Sequence, residues 1–187
     1  LGDVYKRQCL ATAAVRVDTI AAGGGSRLGI RGGVFTVGPG SAGADPGPVC
    51  YGRGGPLALT DAEAVLGRLP DFPSVAGPDR DAPLDVAAAR DALHTLDSTR
   101  SVESVADGVR RVAHSRMAQA VRRLVAEDAA DPVDHVLVAF GGAGPAHACG
   151  VARELGIREV HVPILAGVWS AVGIGRARAG MERSVSV

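Results

Sequence analysis

The residues in this chain best suited to chemistry are glycines and the side chains set beside them. Phe140-Gly-Gly-Ala-Gly-Pro-Ala-His147 follows the apolar run His135-Val-Leu-Val-Ala-Phe140 and leads into a helical pattern. Glycine lets backbone approach a ligand closely, and the free amides at a helix start carry partial positive charge. The combination suits a nucleotide, and on spacing alone it suits a plain turn just as well. His147, one turn into the helix, could bind substrate or carry a proton, though a lone histidine is more often structural. The stretch does not match Gly-x-Gly-x-x-Gly in register. It is also no P-loop, which needs Gly-Lys-Ser/Thr, and the chain's one lysine is Lys6. A second run, Ala22-Gly-Gly-Gly-Ser26, could wrap an anion with successive amides or simply lead into a hairpin.

Other polar side chains are less telling. Asp18, Asp45 and Asp61 each lie beside a glycine loop or a helix start. Asp61 reads as a first-turn partner of the helix dipole. Asp45, inside a Gly/Pro loop, has no simple structural role and stands with His147 as a catalytic candidate. His94, His114, His135 and His161 share no metal-ligand spacing, so no metal site is expected. Cys149 reads as a small buried apolar residue.

The elements that must position these residues follow from periodicity. Val15, Val17, Thr19 and Ile20 read as a strand. Leu28, Ile30, Val34, Phe35 and Val37 flank Arg31-Gly-Gly33 as a hairpin. Residues 38–56 are too rich in Gly and Pro for regular structure and form a long loop of the kind that is often functional. Thr60-Asp-Ala-Glu63 reads as a capping box opening a short helix. Residues 70–84 read as a linker, followed by a helix capped by Asp85 and running to about Leu96. The longest helix begins near Ser101, with Val102, Val105, Val109, Val112, Met117, Val121 and Leu124 at spacings of three and four. Its arginines 110, 111, 116, 122 and 123 read as a solvated face. His135–Phe140 reads as a strand buried on both faces. A helix to about Leu155, capped by Gly156, and a strand at Arg158–Val162 complete a β-loop-α-β unit with parallel strands.

Composition sets the outer bounds. Hydrophobic residues make up 47% of the 187 positions and aromatics only 3%, so the core must be built from small aliphatic side chains. Basic and acidic residues balance at 20 each, which argues against nucleic acid as a main partner. Three scattered cysteines give no disulfide framework, and a reducing cytoplasm is the simplest setting. No apolar run approaches the roughly 20 residues of a membrane span. Residues 1–8 lack a signal-peptide core and read as a non-native scar, leaving 9–187 as one C-terminal part of a larger domain.

Several motifs, taken in order, resemble the hydantoinase A/5-oxoprolinase family. They are Ala21-Ala-Gly-Gly-Gly-Ser-Arg-Leu28, Val37-Gly-Pro-Gly-Ser-Ala-Gly-Ala-Asp-Pro-Gly-Pro-Val-Cys-Tyr51, Thr60-Asp-Ala62 with Val65-Leu-Gly-Arg-Leu69, Ala139–Ala148, and Trp169-Ser-Ala-Val-Gly-Ile174. The first two most resemble the ATP-dependent oxoprolinase branch. The resemblance implies an α/β fold, part of an actin-like (ribonuclease H-like) ATPase, with a mixed sheet and flanking helices. It implies ATP-driven opening of a cyclic amide, 5-oxo-L-proline plus ATP and water giving L-glutamate, ADP and phosphate. A hydantoinase or ketone carboxylase subunit, or an inactive nucleotide- or partner-binding piece, is the alternative. By similarity Gly141, Gly142, Ala143 and Gly144 would bind the adenosine side of ATP. Gly23, Gly24, Gly25 and Ser26 would line the cleft near phosphate or substrate. The family's Asp-Gly-Gly-Thr phosphate loops are absent here, so the Mg²⁺ ligands are expected outside this chain, which alone is expected to be inactive. His114-Ser115 stands where relatives often show Asn with a small residue. A hydantoinase B-type domain or subunit is the implied partner, in a homo-oligomeric intact protein.

Overall fold

The computed structural model describes residues 18–69 and 83–177. The readings for residues 1–8 and for most of the 70–84 linker lie outside those residues. Of the strand expected to open at Val15, Thr19 and Ile20 are described and belong to no strand.

The expected hairpin forms β1 (Ser26–Arg31) and β2 (Val34–Ser41), paired antiparallel with Ile30 opposite Phe35. Gly32 and Gly33 make the turn at φ 58° and 76°, a left-handed pair that glycine adopts without strain. β2 runs on to Ser41, so regular structure reaches into the Gly/Pro-rich stretch. The rest of that stretch also contains a 3₁₀ turn, Val49–Tyr51.

Helix α1 (Leu59–Val65) is where the reading of a Thr60 cap fails. The helix begins two residues earlier than a Thr60 cap requires, after Ala58, and Thr60 already lies inside it. Thr60 instead donates both its backbone N–H and its hydroxyl to the Gly24 carbonyl, each at 2.9 Å. Asp61 is far more than a dipole partner. Fully buried, it accepts from the backbone N–H of Cys50 at 2.7 Å, Ala58 at 2.8 Å and Val49 at 3.2 Å. One carboxylate thus ties the Gly/Pro loop to the start of α1.

Helix α2 (Val86–Leu96) carries the expected Asp85 cap, whose Oδ1 accepts from Ala88 N at 2.8 Å. Helix α3 (Val102–Ala126) is capped by Ser101. Val37, Leu59, Leu93, Val105, Val109 and Ala113 form the main core between β2 and these three helices. The α3 arginines are not uniformly a solvated face. Arg110 is largely buried and paired with Asp107 at 2.5 Å, while Arg116 and Arg122 donate to the carbonyls of Val37 and Glu154.

After a 3₁₀ turn at Pro132–Asp134 come β3 (Leu137–Val138), α4 (Gly144–Leu155), β4 (Val160–His161) and α5 (Trp169–Arg176). β3 and β4 are parallel, as the β-loop-α-β reading requires, and Gly156 ends α4 at φ 74°. Pro145 sits at the second helical position, after Gly144. The mixed sheet is realised as two separate two-stranded sheets, one antiparallel and one parallel.

Burial of β3 on both faces is overturned. Leu137 and Ala139 turn inward, whereas Val136, Val138 and Phe140 remain about half exposed. α3 and α4 cover one side of the strand. Cys149 is likewise exposed and Cys50 is the buried cysteine, because residue 149 falls on the outer face of α4. Among the described residues no helix is long and apolar enough to cross a membrane.

Replacing Asp61 with Ala leaves three backbone amides without their acceptor. The expected cost is roughly 3 kcal/mol or more, read as a lowered urea midpoint. Asp61→Asn, which keeps one amide-accepting oxygen, should fall between that variant and the wild type.

Candidate functional site

The two glycine runs, more than a hundred residues apart in sequence, meet at one cleft of about 300 Å³. Gly24 and Gly25 line it from the first run, and Gly142 and Ala143 from the second. They nearly touch: a Cβ on Gly24 would lie 3.4 Å from the Ala143 Cβ and 2.9 Å from Thr60 Oγ1. The approach of Thr60 needs a glycine at 24, while the Ala143 separation is ordinary contact. Gly142 differs, for a Cβ there would meet nothing within 4 Å. Its backbone borders open space at the start of α4.

Ser26 does not present its hydroxyl to the cleft. Its Oγ accepts from Gly23 N at 2.9 Å and its N–H donates to Gly23 O, closing the glycine run into a turn. Neither Ser26 nor Gly23 lines the cleft. Asp45 is also away from it, exposed and 3.7 Å from Arg53. Gly141 anchors the second loop, its N–H donating to Ala166 O at 2.8 Å.

His147 does lie at the cleft, and it does not lie there alone. It is 2% exposed, with Nδ1 3.3 Å from His114 Nε2 and 3.6 Å from Glu63 Oε1. Glu63 lines the same cleft and is itself 2% exposed. Among the described residues, both of its carboxyl oxygens, and Nε of Arg110, are buried without a hydrogen-bond partner. Burial raises the Glu63 carboxyl above its ordinary range, opposed by the charges of Arg110 and Arg68. Burial lowers His147 to about 4, with Arg110 adding to the effect. His114 is lowered to about 4 by burial and then by His147. At neutral pH both imidazoles are therefore uncharged, and burial disfavours the charged form of Glu63.

Thr60, Glu63 and His114 escaped the reading from sequence. Thr60 and Glu63 are three residues apart and so share one face of α1. That spacing is also the spacing of a capping box, which is why it was read as one. The signal for His114 was weaker still: a polar residue amid the apolar positions of α3. It packs against Gly150 of α4, where a Cβ would come within 2.1 Å of the imidazole ring. Cys50 offers no nucleophile, since burial and Asp61 push its thiol up and away from ionisation. Among the described residues no three His, Cys, Asp or Glu side chains are grouped to hold a metal.

The family model described as hydantoinase/oxoprolinase matches residues 5–183. The chain belongs to the hydantoinase/oxoprolinase family. It is 47% identical to 5-oxoprolinase 1 of Arabidopsis thaliana over 177 residues, 86% of this chain and 14% of that protein. It is 42% identical to 5-oxoprolinase of Dictyostelium discoideum, over 86% of this chain and 14% of that one. This hydantoinase/oxoprolinase chain therefore spans only a small share of the curated relatives it matches. Its fold matches the crystal structure of ATP-dependent caprolactamase from Pseudomonas jessenii at a TM-score of 0.75 and 39% identity, covering 84% of this chain and 23% of that one. Nucleotide-free acetone carboxylase matches at 0.70 and 30% identity, over 81% and 22%. The chain is thus part of the α/β, actin-like ATPase fold of this family.

The histidine pair gives stability a definite pH dependence. Both folded-state pKa values lie near 4, below the ordinary 6.5, so the unfolded chain binds more protons between those limits. Stability is then fully present above about pH 6.5 and should be lost as the pH falls to about 4, by on the order of 3 kcal/mol. Urea midpoints across that range check it, and a midpoint insensitive to pH would contradict it.

Proposed function

We propose that this chain forms one wall of the nucleotide and substrate site of an ATP-dependent cyclic-amide hydrolase, acting on 5-oxo-L-proline to give L-glutamate. The observation that carries the reading is the meeting of the two glycine loops at a single cleft, beside Glu63 and His147. The higher identity to 5-oxoprolinases than to caprolactamase or acetone carboxylase supports the choice of substrate.

The residues present fit a nucleotide. Gly142 stands beside open space and the start of α4 borders the cleft, so backbone amides and a helix dipole are available to an anionic or polar ligand. Gly141, Gly142, Ala143 and Gly144 would hold its adenosine side, and Gly24 and Gly25 would shape the wall nearer phosphate or substrate. ATP supplies the phosphoryl group that makes a lactam oxygen a leaving group and couples ring opening to its own cleavage. What this chain contributes is orientation: Thr60 holds Gly24 in place, and α4 carries His147 to the cleft. The described residues do not group acidic side chains for Mg²⁺, and its ligands are assigned to the rest of the protein. A hydantoinase B-type partner, a homo-oligomeric assembly, a cytoplasmic setting and inactivity of this chain in isolation belong to the same reading. The second reading keeps the scaffold and changes the substrate, to caprolactam, a hydantoin or a ketone. Structural similarity to caprolactamase and acetone carboxylase favours it.

Two measurements on the full-length protein test the proposal. ATP hydrolysis should be stimulated by 5-oxo-L-proline with glutamate released in equal amount. Stimulation by caprolactam or hydantoin alone would move the substrate to the second reading. Gly142→Val, which fills the open space with a side chain, should weaken ATP binding about tenfold or more while circular dichroism stays unchanged. Unchanged affinity in the folded variant would remove the loop from the nucleotide site.

A further inference from the structure

The buried carboxyl of Glu63 is the least explained group in the molecule. Among the described residues its two oxygens have no hydrogen-bond partner, yet it lines the cleft. A buried carboxyl left unsatisfied costs roughly 1–3 kcal/mol, so its presence calls for a partner that arrives later. The groups around it cannot fill that role. His147 Nδ1 is 3.6 Å from Oε1, too long for a good hydrogen bond, and is also shared with His114 Nε2 at 3.3 Å. Arg110 is paired with Asp107 at 2.5 Å and forms no hydrogen bond to Glu63. Arg68, Asp107 and Arg110 act on the carboxyl by charge alone. Tyr51 borders the same cleft.

We propose that Glu63 is the ligand-reading residue of the cleft: it accepts a hydrogen bond from an N–H or O–H of the bound molecule, with His147 and His114 positioned behind it. This rests on the cleft taking a nucleotide or a cyclic amide. Both carry such donors, in the adenine amino group and ribose hydroxyls or in the lactam N–H. Burial penalises the charged form of the carboxyl and raises its pKa. A carboxylate accepts a ligand's hydrogen bond more strongly than a protonated carboxyl does, so binding favours loss of the carboxyl proton. The proton passes to bulk water, since imidazoles lowered to about 4 do not retain it near neutral pH. No covalent bond changes, and up to one proton leaves for each ligand bound below the titration of Glu63.

His147 is a positioning residue, lining the cleft with Nδ1 3.6 Å from Oε1 and limiting water's access to the carboxyl. His114 in turn fixes the His147 ring, and Gly150 makes room for it.

The test measures the affinity of the full-length protein for two neutral probes from about pH 5 to about pH 8, a range in which neither imidazole changes charge. The probes are adenosine and 2-pyrrolidone, and neither ionises there. The probe that donates to Glu63 should bind more tightly as pH rises, by up to about tenfold per unit, and then level off. In Glu63→Gln the amide oxygen accepts with no proton to expel, so the slope should vanish while affinity at pH 8 stays within a few-fold. A slope for adenosine alone assigns the donor to the nucleoside, and a slope for 2-pyrrolidone alone assigns it to the lactam. His147→Ala, which admits water to the carboxyl, should move the plateau to lower pH, and a plateau left in place would remove His147 from its positioning role. If both probes bind the wild type with no pH dependence, Glu63 reads neither and the proposal fails while the site reading stands. A slope that persists in Glu63→Gln also overturns it. If neither probe binds, the proposal and the site reading fall together. The wild-type profile decides even if Glu63→Gln does not fold.

Discussion

The Asp61 carboxylate is the constraint on which the rest of the cleft depends. Buried charge is tolerated only when it is matched, and here three backbone N–H groups do the matching. Two of them belong to the 3₁₀ turn after the Gly/Pro loop, and the third precedes α1. A stretch with almost no regular structure is thereby fixed against a helix. With α1 held, Thr60 meets the Gly24 carbonyl and Glu63 turns toward the cleft. Removing this one anchor would free the loop, the helix start and the first glycine wall together.

The second dependence is steric. With few aromatics, α3 and α4 pack through Ala118, Val151 and Ala152, and small side chains let the helices come close. Gly150 takes this furthest, since any side chain there would collide with His114. The absence of that Cβ lets an imidazole occupy the helix interface and reach His147. Close packing and the polar cluster at the cleft are therefore one feature seen from two sides.

Most of the fold was legible in the sequence because periodicity and turn chemistry are local. The Gly32-Gly33 hairpin, the Asp85 and Ser101 caps and the Gly156 stop all depend on neighbours within a few residues. What failed depends on distant groups. The apolar run at 136–140 implied two-sided burial, yet whether a second face is covered depends on what packs there. Asp61 and Thr60 looked like helix-start residues, and their real partners are set by the docking of residues 24 and 49–50. Both glycine loops were recognisable, as was His147. Their convergence was not, because nothing local ties residue 24 to residue 143.

Glu63 shows why such sites hide. A Thr-x-x-Glu spacing serves a helix cap when the helix begins at the Thr, and serves a shared face when it begins earlier. The choice here is made by Asp61, which sets the helix start at Leu59 by binding the Ala58 amide. Two residues of difference in the helix start turn Glu63 from a solvated cap partner into a buried carboxyl beside His147. That carboxyl could have been satisfied internally had Arg110 reached it, but Arg110 is engaged by Asp107 on its own helix. The fold thus leaves an acid without a hydrogen-bond donor at the one place where the two glycine loops leave room for a ligand.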